Sequence, residues 1–156
     1  MIILKILSCL LALLFQGGFV MDFENITDSF NYATKMNITI ENMQYTLEKG
    51  NDKYEVVLES LRDITKYAHE MPAFGVSIDD LAREDMKTGM WLELVFDEEC
   101  EYNEMPFEAL LIKVDKDAYG FNLIRKQNGK YEGRCFYLSL DNSMINLYHT
   151  IENLSL

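Results

Sequence analysis

Residues 39–72, Thr39-Ile-Glu-Asn-Met-Gln-Tyr-Thr-Leu-Glu-Lys-Gly-Asn-Asp-Lys-Tyr-Glu-Val-Val-Leu-Glu-Ser-Leu-Arg-Asp-Ile-Thr-Lys-Tyr-Ala-His-Glu-Met-Pro72, decide how the N-terminal half folds. Tyr54, Val57, Leu58, Leu61, Ile64, Ala68 and Met71 recur at helical spacing and make one apolar stripe. Asp52 and Glu55 have capping-box spacing at its start, and Pro72 ends it. Upstream, Thr39 is placed to cap a helix carrying Ile40, Met43 and Leu47, which Gly50 stops. Residues 40–70 are therefore expected to form a helical hairpin. The rival is a β-hairpin, because Met43, Tyr45 and Leu47 also alternate. The capping box and the long stripe favour helix.

The flanks extend this expectation. Phe23, Ile26, Phe30 and Ala33 suggest a short amphipathic helix. Ser77-x-x-Asp80 opens a fourth helix, with Ile78 and Leu81 inward and Gly89 as its stop. From Met90 the period becomes two: Met90, Leu92, Leu94 and Phe96 alternate with Trp91, Glu93 and Val95. Leu110, Ile112 and Val114 alternate next. Residues 119–127 and 130–140 flank Asn128-Gly129, a strong hairpin signal. Asp141, Asn142 or Ser143 caps a last helix with Ile145, Leu147, Tyr148 and Ile151. The expected class is α+β: a helical N-terminal half packed on a four-stranded antiparallel β-meander, closed by a C-terminal helix.

The chain has 156 residues, and 49% of them are hydrophobic, enough for a core. Residues 1–20, MIILKILSCLLALLFQGGFV, form an apolar leader before one α+β domain at 21–156. Gln16-Gly17-Gly18 can be encoded CAA GGA GGT, a ribosome-binding sequence at a suitable distance from Met21. The usage of Asn, Ile, Lys and Tyr suits a low-GC bacterial genome. The favoured reading is a start assigned too early, with translation beginning at Met21 and a cytoplasmic protein. The alternative is a signal peptide or membrane anchor and an extracytoplasmic domain, with a Cys100–Cys135 bridge.

Fourteen Lys and Arg stand against 26 Asp and Glu, a net charge of −12, which disfavours nucleic acid and anionic membranes as partners. Cys9, Cys100 and Cys135 lack metal-ligand spacing, and no metal or cofactor is expected. No GxGxxG, GxxxxGK[ST] or GxSxG occurs. His69, placed at a helix end, and His149 lack a spaced partner, and Cys135 lies mid-strand without an activating base. An enzyme using Cys135, His149 or the acidic run stays a third reading, with no catalytic residue assigned.

The most unusual stretch is Asp97-Glu-Glu-Cys-Glu-Tyr-Asn-Glu-Met-Pro-Phe-Glu108, with six carboxylates and no cation. It is expected as an exposed loop between strands. Asp97, Glu98, Glu99, Glu101 and Glu104 would contact a basic protein partner, with Tyr102 and Phe107 as apolar anchors. Trp91, alternating away from Leu92 and Leu94, would extend that surface or be covered by residues 22–35 or the last helix. Residues 113–134 carry six cations against three carboxylates. That asymmetry suits either a homodimer or, preferably, protection of a strand edge. The function expected is a small acidic non-catalytic binding protein that occludes or neutralises a basic protein, as immunity and inhibitor proteins do.

Overall fold

The computed structural model describes residues 20–156. The leader assigned to residues 1–20 lies, apart from Val20, outside them. In chain order the elements are β1 (Met21–Asp22), a 3-10 helix (Ile26–Tyr32), β2 (Lys35–Ile40), β3 (Met43–Glu48), α1 (Asp52–Thr65), β4 (His69–Ser77) and α2 (Asp79–Asp85). Then come β5 (Met90–Tyr102), β6 (Met105–Val114), β7 (Gly120–Gln127), β8 (Lys130–Tyr131), β9 (Gly133–Ser139) and α3 (Ile145–Glu152). The strands form one nine-stranded sheet ordered β3-β2-β5-β6-β7-β9-β4, with β1 on β5 and β8 on β7. Every pairing is antiparallel except β1 with β5.

This mostly-β fold corrects the expected class. The N-terminal half is not a helical hairpin on a four-stranded meander; it supplies four strands of the sheet. Residues 35–48 are a β-hairpin with Ile40 opposite Met43. Glu41 and Asn42 adopt φ of 47° and 70°, the left-handed pair that a two-residue hairpin loop requires. On its other side β2 pairs with β5, Ile38 opposite Leu92. This second ladder overrides the helical spacing of Ile40, Met43 and Leu47, because it satisfies the backbone on both edges of β2 and buries Met36 and Ile38.

α1 forms where its stripe predicts, burying Tyr54, Val57, Leu58 and Leu61. Asn51 is its cap and accepts from the Lys53 amide at 2.9 Å, while Glu55 accepts from the Gly50 amide at 3.2 Å. The helix ends at Thr65, whose hydroxyl donates back to the Leu61 carbonyl at 2.8 Å. Residues 69–77, including the end of the expected stripe, become the edge strand β4. Pro72 is tolerated at this edge, and the pairing with β9 is broken by register shifts between Met71 and Val76. His69 therefore opens a strand and is exposed, not at a helix terminus. The N-cap of α2 is Ile78, that of α3 is Met144, and neither helix has a side-chain cap.

The two sides of the sheet are unequal. One face carries the main core: Leu92, Leu94, Leu110, Ile112, Leu123 and Phe136 meet the 3-10 helix, α1 and α3 through Phe30, Tyr54, Leu61, Leu147 and Ile151. The Tyr54 hydroxyl donates to the Ala33 carbonyl at 2.5 Å inside this core. Ring contacts of Phe136 with Tyr102 and Phe107, at 5.3 and 6.4 Å, tie the tip of the β5–β6 hairpin to β9. The opposite face holds a small cluster of Ala82, Trp91, Leu111 and Tyr131 beneath α2. No helix among the described residues is long and apolar enough to cross a membrane.

Candidate functional site

The acidic run is part of the sheet rather than a loop. β5 continues to Tyr102, turns at Asn103 and Glu104 (φ 50° and 60°), and returns as β6. Pairing breaks only between Val95 and Cys100. In that bulge Phe96 turns into the core, while Asp97, Glu98 and Glu99 are exposed. Val95, Phe96, Asp97, Glu98, Glu99, Glu108 and Lys126 line an open groove of about 310 Å³.

Its electrostatics follow from which carboxylates are engaged. Asp97 accepts from the Thr34 hydroxyl at 2.9 Å, and Glu108 from the Gly129 amide at 2.7 Å. Lys126, the groove's one cation, donates to Glu93 at 3.1 Å, so its charge is matched from behind. Among the described residues Glu98 and Glu99 join no ion pair. The groove is thus net negative. A lysine or arginine side chain has the size and charge to enter it.

The other residues expected to bind a partner are distributed differently. Glu101 is half-buried, and Glu104 is exposed at the hairpin tip, away from the bulge. Trp91, Tyr102 and Phe107 are buried within the chain itself. Phe107 and Tyr102 belong to the main core. Trp91 lies under α2, not under residues 22–35 or the last helix, and its indole donates to the Thr88 carbonyl at 2.8 Å. The Tyr102 hydroxyl donates to Glu70 at 2.5 Å, linking the hairpin tip to β4. Burial is the main reason its pKa is pushed up to about 12, with the Glu70 contact adding to it.

Glu93, which no sequence motif marks, organises the second face. It is 4% exposed and accepts from Asn37 at 2.7 Å, Lys126 at 3.1 Å and the Tyr131 hydroxyl at 2.5 Å. Lys126 and Arg83 each lie 5.2 Å from the centroid of the Tyr131 ring. The only sequence signal for this cluster is a carboxylate alternating with Trp91 in an otherwise apolar strand.

The thiols and imidazoles do not converge. Cys100 and Cys135 are free and buried on opposite faces of the sheet, so they form no bridge. Burial pushes the Cys100 thiol up to about 12 and also raises that of Cys135. His149 pairs with Glu152 at 2.9 Å on α3, across the sheet from Cys135. Among the described residues no group of three His, Cys, Asp or Glu is arranged to hold a metal. Comparison with protein-family models, curated proteins and solved structures found no match.

Proposed function

We propose that this chain is a non-catalytic binding protein that occludes a basic surface of a protein partner, with the groove of Asp97, Glu98, Glu99 and Glu108 receiving a lysine or arginine. The observation that carries this reading is that Glu98 and Glu99 are exposed beside a concave surface and, among the described residues, join no ion pair. A net charge of −12 adds long-range attraction for a basic partner. The partner is met in the cytoplasm, a compartment that suits the free thiols of Cys100 and Cys135.

The test is affinity capture from the native host with a C-terminally tagged chain, beside a variant carrying Glu98→Lys, Glu99→Lys and Glu101→Lys. The expected outcome is a stoichiometric basic protein captured by the parent and lost by the variant, with both showing the same circular dichroism. Retention of that protein by the folded variant would reject the groove.

A further inference from the structure

α2 does not bury its aliphatic side. Ala82 packs inward, whereas Ile78 and Leu81, expected to point inward, are 56% and 61% exposed. Val76 on the neighbouring edge strand β4 is 73% exposed. α2 is held instead by polar contacts. Asp79 accepts from Arg83 at 2.8 Å and from the Tyr131 amide at 2.9 Å, and Arg83 donates to the Gly129 carbonyl at 3.0 Å.

Val76, Ile78 and Leu81 rim a cavity of about 310 Å³ with Ile124 and Cys135 in its lining. A second cavity, about 300 Å³, shares Asp85, Asn122 and Ile124 with it and extends to Trp91 and Lys113. The two cavities adjoin at these shared residues on the second face. Charge selects the occupant. Asp85, in the shared lining, is exposed and joins no ion pair among the described residues, and Asp115 lines the second cavity, so two carboxylates stand against one cation, Lys113. Lys113, at the far end, lies 5.6 Å from the Trp91 ring centroid.

We propose that these adjoining cavities form a groove that docks an aliphatic segment of a partner protein that carries one lysine or arginine. The aliphatic side chains cover Val76, Ile78 and Leu81, and the cation pairs with Asp85. Covering the apolar rim supplies the affinity, and a charge pair at its centre sets the preference for a basic segment. The site uses none of the carboxylates of the acidic groove.

Trp91, the only tryptophan of the chain, lines the groove and reports on it by fluorescence. The full chain is titrated with two capped peptides of alternating valine and serine, identical except for a central lysine or a central glutamate. The lysine peptide is expected to change Trp91 emission saturably and to bind about ten-fold more tightly than the glutamate peptide. Asp85→Asn should remove that preference. Leu81→Ser, at an exposed position, should weaken the lysine peptide about ten-fold with the circular dichroism unchanged. Glu98→Lys should leave binding as it was. Equal affinity for the two peptides, no saturable response, or loss of binding in Glu98→Lys would overturn the proposal. So would a concentration-dependent dimer that Leu81→Ser dissociates, which would give the groove to a second copy of the chain.

Discussion

The Tyr131 hydroxyl donates to Glu93 at 2.5 Å between β8 and β5, and this contact anchors a buried polar cluster on the face of the sheet away from the main core. Three donors from three strands, Asn37, Lys126 and Tyr131, converge on one carboxylate that is almost wholly out of water. Such a cluster is stable only when complete, because each donor stripped of its acceptor keeps its desolvation cost.

Glu93→Ala should therefore lower unfolding free energy by about 3–5 kcal/mol, as for a broken buried ion pair. Tyr131→Phe, which removes one hydrogen bond to a charged group, should cost about 1.5–3 kcal/mol. Urea unfolding midpoints at neutral pH measure both. A cycle with Tyr131→Phe and Lys126→Met should show coupling of about 0.5–3 kcal/mol, since both groups share the same oxygen.

A second buried charge is held by backbone alone. Arg125 donates to the Arg134 carbonyl at 2.8 Å and the Pro106 carbonyl at 2.6 Å, clipping β6 and β9 to β7 where β7 changes partner. Gly133 makes room for it: its φ is +81°, and a Cβ there would lie 2.5 Å from the guanidinium. Gly133→Ala should destabilise by more than about 1 kcal/mol, combining left-handed strain with the clash. In the double variant Gly133→Ala/Arg125→Met the clash is gone, so the two costs should add to less than their sum in calorimetric unfolding.

Stability should decline at alkaline pH, because two buried tyrosines and a buried thiol hold their protons more tightly in the folded chain than in the unfolded one. Burial raises Tyr54 and Tyr102 from 10.0 to about 12, and Cys100 from 9.0 to about 12. Below the ordinary values both states hold these protons and stability does not depend on them. Above those values the unfolded chain releases protons that the folded chain keeps, so stability falls as pH rises, until the folded groups titrate near 12. Urea midpoints recorded across this range should decline, and Tyr54→Phe should flatten the decline. For the same reason Cys100 should resist thiol reagents in the native chain and react on unfolding.

The β2–β3 turn offers a direct check on the hairpin. Asn42 holds φ of 70°, which Gly adopts freely and a β-branched residue resists. Asn42→Gly should leave stability within about 0.5 kcal/mol, while Asn42→Ile should cost about 1–2 kcal/mol in urea unfolding. Equal stabilities would be inconsistent with a left-handed residue at this position.

The elements legible in the sequence are local ones. The stripe of α1 over Tyr54, Val57, Leu58 and Leu61 is present in the structure. So are the alternation from Met90 to Phe96, the Asn128-Gly129 turn and the helix carrying Leu147 and Ile151. Each is set by periodicity or backbone preference within a few residues. The run of carboxylates from Asp97 to Glu108 is legible too, but its place in a strand bulge rather than a loop, and Lys126 beside it, are not.

The remaining elements depend on contacts that are distant in sequence. Residues 40–47 fit both periods, and only pairing with β5, as in Ile38 opposite Leu92, makes them strand. Ala68 and Met71 continue the α1 stripe, but the chain beyond Thr65 gains a strand partner in β9 and leaves the helix. Tyr102 and Phe107 lie between carboxylates in sequence, yet the sheet brings both against Phe136 and buries them. Ile78 and Leu81 have an inward helical spacing, but Asp79 and Arg83 pin α2 by polar contacts and leave them facing water. Glu93 is buried because Asn37, Lys126 and Tyr131 reach it from β2, β7 and β8, a convergence that no local pattern encodes.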